Sequence, residues 1–207
     1  MSTGASPHRC WWCGDAPEYV AYHDDEWGRP VDGERALFEL LALEGFQAGL
    51  SWHTILRKRT AFRAAFAGFE PEAVAAFGAR EVARLLADAG IVRHRGKIEA
   101  TIGNARALLA LHASGGSLAA LAWAHEPDTR ARPPLTEDAA RALRPPAEAT
   151  ALSRALQAAG FRFVGPTTVY AFMQAAGLVN DHVRACAWWE SSERARAGFR
   201  RPPARHT

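Results

Sequence analysis

No apolar run in this 207-residue chain approaches the roughly 20 consecutive residues of a membrane-spanning helix, because Arg, Glu, Asp or His interrupts every one. A membrane partner is therefore not expected. The opening MSTGASPHRC has no basic segment followed by an apolar one, so no secretory leader is expected and the default compartment is the cytoplasm. Cysteine is limited to three residues, too few for a disulfide scaffold, and these read as reduced thiols or metal ligands. Lysine is nearly missing, with only Lys58 and Lys97 among 25 cationic side chains. A charge field of one sign is missing too. The net charge is +3, residues 193–207 carry five Arg against one Glu, a net +4, and the rest sums to −1. Contact with phosphate must then come from local patches such as RHRGK at 93–97.

What is present is an ordinary globular composition, 48% hydrophobic and 23% charged, long enough to bury a sizeable core. Helical periodicity dominates, and no alternating β-branched run makes a strand, so the chain reads as all-α. Asp32 can cap a helix to about residue 48, and another begins near Ser51 and runs toward Phe66. Short helices at 71–77 and 79–88 precede GIVRHRGK, which turns into a long helix at 96–113. Prolines 127, 133, 134, 145 and 146 predict an extended excursion over 126–146. Helix resumes at about 148–158 and again from Pro166 to Gln174, and a last helical segment carries His182 and Cys186. The helical domain is read as 9–189, followed by an Arg-rich tail, 190–207, expected to be poorly ordered.

Glu44 shares the spacing of Leu37, Leu40, Leu41 and Ala48 along one helix face. A carboxylate in an apolar stripe loses hydration, which raises its pKa and marks a candidate functional group. A Glu at the stripe's end that reaches solvent or an internal Arg accounts for the spacing equally well. Trp11, Trp12, Tyr19, Tyr22 and Trp27 are half of all Trp and Tyr in the chain. Such rings can sandwich a flat heterocycle, and they can equally be core; Trp52 can line the same wall. Cys10 and His23 near one end, with His182 and Cys186 near the other, make up a complete tetrahedral zinc set. Cys13 complicates it through the CxxC with Cys10, and free thiols with surface imidazoles explain the same spacing. The turn at 90–97, with Arg93, His94, Arg95, Gly96 and Lys97, can cradle a phosphate or be a solvated basic loop.

Five ordered strings go further: RCWW at 9–12, AYHDDEWG at 21–28, LEGFQAGLSW at 43–52, IVRHRGKI at 91–98 and FVGPTTVYAFMQAAGLVNDH at 163–182. Together they closely resemble the 3-methyladenine DNA glycosylase I family of the helix-hairpin-helix glycosylase superfamily, over about Arg9 to Cys186. The resemblance implies a helix-hairpin-helix fold and a monofunctional DNA-repair enzyme that hydrolyses the N-glycosidic bond of N3-methyladenine in double-stranded alkylated DNA after flipping the base. It implies one structural zinc held by Cys10, His23, His182 and Cys186, joining the N- and C-terminal segments. Glu44 matches the family's pocket carboxylate, Tyr22 and Trp52 its base-contacting residues, and Trp12, Tyr19 and Trp27 their neighbours. Residues 93–97 fall at the family's DNA-binding hairpin, although here the turn is poorer in Gly than the usual superfamily form. The family lacks the catalytic Asp of related glycosylases, which places more of the burden on Glu44. A zinc-stabilised module that binds damaged DNA without cleaving it is the alternative; a lyase using Lys97 as Schiff-base nucleophile is a further rival. No protein partner is implied, and a monomer is expected.

Overall fold

The computed structural model describes residues 7–128 and 134–203. Helices within them are α1 (Pro17–Ala21), α2 (Glu34–Gln47), α3 (Trp52–Ala65), α4 (Pro71–Ala75), α5 (Ala79–Ala87), α6 (Arg95–Ala113), α7 (Leu118–Trp123), α8 (Glu137–Arg141), α9 (Ala147–Ala158), α10 (Pro166–Ala175) and α11 (Trp189–Gly198). A π-helical turn, Tyr22–Glu26, continues α1, and a 3-10 turn, Ala67–Phe69, follows α3. Among the described residues the only β contact is an isolated parallel bridge between Leu135 and Val183, in line with the all-α expectation. No described helix is long and apolar enough to cross a membrane.

The fold is organised around α2, whose six residues Leu41–Phe46 are all buried. A helix apolar on every side must lie inside, and α2 packs against α3, α6, α7 and α10. Its N-terminal Glu34 carboxylate accepts from the Leu118 and Ala119 amides at 2.9 and 2.8 Å, capping α7 from outside. Gly49, at φ +83, ends α2, and Ser51 then caps α3 by accepting from the Thr54 amide at 3.2 Å. At Gly177 (φ +73) an added Cβ would stand 2.4 Å from the Arg29 carbonyl carbon. Only glycine lets the exit of α10 pass so close to residues 29–30.

Four expectations need correction. Asp32 does not cap α2; its N-cap is Gly33, without a side-chain bond. His182 and Cys186 are not helical. Asn180 accepts from the His182 amide and donates to the Trp189 carbonyl and the Glu193 carboxylate, so its side chain offers this backbone an alternative to helix. The 126–146 stretch is not wholly extended, since α8 interrupts it; residues 129–133 lie outside the described residues. Nor is the Arg-rich tail unstructured through 203. In α11, Arg196 is buried and donates to the Gly177 and Leu178 carbonyls at 3.0 and 2.9 Å and to Glu126 at 2.9 Å. Composition read these arginines as solvated, whereas one of them fastens the last helix to the α10 exit; residues 204–207 lie outside the described residues.

Replacing Arg196 with Ala leaves the Gly177 and Leu178 carbonyls without this donor and leaves the half-buried Glu126 to Arg201 alone. We expect a loss of about 2 kcal/mol, read as a lowered urea midpoint. A midpoint equal to the wild type would make α11 an appendage.

Candidate active site and metal centre

Cys10, His23, His182 and Cys186 converge in one buried group whose ligand atoms all lie within 4.8 Å of one another. Cys10 Sγ is 3.5 Å from His182 Nδ1, and Cys186 Sγ is 3.5 Å from His23 Nε2 and 3.4 Å from His182 Nδ1. The outer nitrogens fix both rings. His23 Nδ1 donates to Asp24 at 2.7 Å, and His182 Nε2 donates to the Trp27 carbonyl at 3.3 Å. Both acceptors lack protons to give, so the lone pairs of His23 Nε2 and His182 Nδ1 face the cluster centre. Arg9 clamps Asp24 with bonds of 2.9, 3.1 and 2.7 Å. Between the sulfurs, the mutual hydrogen bond pushes the Cys10 thiol up and holds Cys186 low. Cys13 stays apart, its sulfur 3.7 Å from the Tyr19 carbonyl and its thiol pushed by burial to about 11. These residues can hold a metal ion, and the CxxC supplies one sulfur, not two.

Against this cluster stands an aromatic cage. Trp12 packs on His23 (centroids 5.2 Å), Trp27 (4.8 Å) and Tyr19 (5.3 Å), while Tyr22 packs on Trp52 (5.2 Å). The π-turn explains the first link, because its wider coil buries the consecutive residues Tyr22 and His23, one beside the cavity and one in the cluster. The rings enclose a cavity of about 280 Å³, and Trp12, Tyr19, Tyr22, Trp27, Glu44 and Trp52 all line it. Trp11, grouped in the sequence with the early rings, lines it too, whereas sequence reasoning assigned Gln47, Gln174 and Asp181 no place there; Asp181 was signalled only by its neighbour His182. Its carboxylate accepts from the Tyr170 hydroxyl at 2.5 Å and the Gln174 amide at 2.7 Å.

Glu44 is 4% exposed, and its Oε2 has no hydrogen-bond partner among the described residues. Burial pushes this carboxyl up to about 8, and it pushes the Tyr22 hydroxyl well above its usual range. The Trp52 indole N–H likewise lacks a partner among the described residues. An open acceptor and an open donor between aromatic faces suit a flat heterocycle with its own polar edge, and a cation above all.

The basic turn joins α5 to α6. Arg93, His94 and Arg95 are exposed and Gly96 is half-buried. Lys97 departs from expectation as a phosphate contact: it is 7% exposed, and its ammonium donates to the Phe46 and Ala48 carbonyls at 2.9 and 2.5 Å. It caps the end of α2, and no amine projects from this turn.

Fold and site together define an all-helical protein with an aromatic, carboxylate-bearing cavity braced by a Cys/His cluster. The model of the methyladenine glycosylase family matches residues 12–189. DNA-3-methyladenine glycosylase 1 of Escherichia coli (strain K12) is 47% identical over 188 residues, covering 89% of this chain and 98% of that protein. A crystal structure of 3-methyladenine DNA glycosylase I, 47% identical, superposes with a TM-score of 0.80 over 87% of this chain and 98% of its own. A Staphylococcus aureus 3-methyladenine DNA glycosylase I, solved for 3-methyladenine recognition, is 37% identical with a TM-score of 0.79, covering 88% and 97%. The chain belongs to the methyladenine glycosylase family and is an enzyme of the DNA-3-methyladenine glycosylase type.

The raised Glu44 pKa links stability to pH. The folded protein keeps this proton to about pH 8, whereas the unfolded chain releases it near 4.3. Glu44 therefore favours folding least at high pH, by about 1.4 kcal/mol for each unit between those values. Glu44→Gln removes the penalty, so its urea midpoint should exceed that of wild type by far more at pH 8 than at pH 5, where only about 1 kcal/mol of the penalty has developed. The same difference at both values would mean that Glu44 does not change protonation.

Proposed function

We propose that this chain excises N3-methyladenine from double-stranded alkylated DNA by hydrolysing the N-glycosidic bond. The observation that carries this reading is the unpartnered Glu44 oxygen on the wall of an aromatic cavity. Methylation at N3 makes the nucleobase cationic, and both the ring faces and a carboxylate favour a cation. The nucleotide rotates out of the duplex, its base stacks against Tyr22 and Trp52, and Glu44 accepts a hydrogen bond from the exocyclic amine. Trp12, Tyr19 and Trp27 complete the enclosure. A cationic base is already a good leaving group, so recognition supplies much of the catalysis and water attacks the oxocarbenium-like sugar. Hydrolysis without lyase chemistry fits the burial of Lys97, whose amine caps α2. The α5–turn–α6 unit is read as the helix-hairpin-helix element, with Arg93, His94, Arg95 and Gly96 toward the DNA backbone. The enzyme works as a monomer in the cytoplasm, where its three cysteines stay reduced.

The metal is read as one structural zinc ion. Zn–S bonds of about 2.3 Å and Zn–N bonds of about 2.0–2.1 Å set a tetrahedral S···N edge of about 3.6 Å. Three of the four S···N distances, at 3.4–3.5 Å, fit that figure, and both imidazoles turn a lone pair inward. Zinc bound there closes the fold at a four-ligand site with no position left for water. Chelation should therefore lower the thermal midpoint by many degrees, and zinc should restore it in a 1:1 ratio. A chelated protein with an unchanged midpoint would remove the structural role.

Release of free base from methylated duplex DNA, resolved by chromatography, tests the activity. Wild type should release 3-methyladenine, and Glu44→Gln should lower kcat/KM by about 100-fold while staying folded. No release by a folded, zinc-loaded wild type would move the function to binding of damaged DNA without cleavage.

A further inference from the structure

Among the described residues, Leu50 and Phe163 are the only large hydrophobic side chains left exposed, and Phe163 is the less explained. It lies in the turn between α9 and α10, 40% exposed, with φ +57, a left-handed backbone that a bulky residue avoids. The turn is not loose. Asn104 on α6 accepts from the Arg162 amide at 2.7 Å and donates to the Arg162 carbonyl at 3.0 Å, and the Ser153 hydroxyl donates to the Val164 carbonyl at 2.6 Å. Two buried polar side chains thus grip the backbone on either side of one aromatic ring and hold that ring outward.

The surroundings of the ring are cationic. It meets His94 edge-on with centroids 6.3 Å apart, and its Cζ would be 3.6 Å from a Cβ on Gly96. Arg93, Arg95 and Arg162 are exposed beside it, and the nearby acids are engaged: Glu99 pairs with Arg95 at 3.3 Å, and Asp88 accepts from the Gly90 amide at 2.7 Å. The base of the side chain rests on α2, where its Cβ would be 3.7 Å from a Cβ on Gly45. A rigid apolar ring inside a basic patch suits a polyanion that also carries apolar edges, and among such partners a duplex has stacked bases and deoxyriboses between its phosphates.

We propose that Phe163 is a DNA-contact residue that packs its exposed face against a sugar and base edge of the duplex, while Arg93 and Arg162 take the flanking phosphates. The two turns, 88–94 and 159–165, then act as one surface. This rests on the glycosylase reading above, and its test separates the two.

Binding to a duplex with a stable abasic-site analogue is measured across a salt series for wild type, Phe163→Ala, Phe163→Leu and Arg162→Gln. Phe163→Ala should weaken binding about tenfold with an unchanged salt slope, and Phe163→Leu should recover most of the loss. Arg162→Gln should reduce the slope by about one. Free 3-methyladenine should bind Phe163→Ala as it binds wild type, which also shows the variant folded. Wild-type affinity in Phe163→Ala, or a loss accompanied by a shallower slope or by weaker free-base binding, overturns the assignment. A wild type that binds this duplex with the predicted Phe163 dependence but releases no base would refute the activity and leave the surface standing.

Discussion

Side chains 172 positions apart in sequence meet in one buried group of two thiols and two imidazoles, and the cavity is built outward from that closure. His182 donates to the Trp27 carbonyl, His23 packs on Trp12, and Tyr22 and Asp181 are the immediate neighbours of two cluster residues. These four cavity-lining residues therefore take their positions from the cluster, not from the α2 side of the molecule. Bringing these residues together costs the closure entropy of a very long loop, which grows only slowly with its length. Loosening the cluster would open the cage before it unfolded the core around α2.

The opposite wall runs against stability. Glu44 lies in the buried C-terminal half of α2, and burial favours its neutral carboxyl there, with one oxygen unmatched. An apolar residue of similar size would hold α2 better. A carboxylate kept at a cost in the free protein is what a site needs when its ligand brings the missing positive charge and donor. Elsewhere the fold matches its buried cations with care: Lys97 meets the carbonyls at the end of α2, and Arg196 meets those at the exit of α10. Glu44, the group left waiting, is the one on the cavity wall.

Much of this was legible in the sequence, and the reasons differ by element. Helices α2, α3, α6 and α10 follow from 3.6-residue periodicity punctuated by Gly49, Ser51 and Pro166. Glu44 was visible as a carboxylate in an apolar stripe, although spacing could not separate burial from solvent. The ligand set and the cage came together through the family resemblance, since spacing alone left Cys13 competing with Cys186. Lys97 and Arg196 were misread because each lies in a basic stretch that looks solvated. Their burial depends on carbonyls 51 and 19 residues away, which local pattern does not reveal. His182 and Cys186 matched a helical i, i+4 spacing, but Asn180 diverts that backbone into a loop. Phe163 carried no signal at all, since an exposed aromatic and a buried one look the same in a string.

The most direct test of the account is the pH profile of kcat/KM for base release from methylated duplex DNA, in wild type and Glu44→Gln. That quantity reports groups titrating in the free enzyme. If Glu44 must ionise to receive the cationic base, wild type should gain about tenfold per unit on the acid side and level off near pH 8, with the variant low and flat. A wild-type profile that is flat from pH 6 to 9 would contradict the central role given to a buried, neutral Glu44.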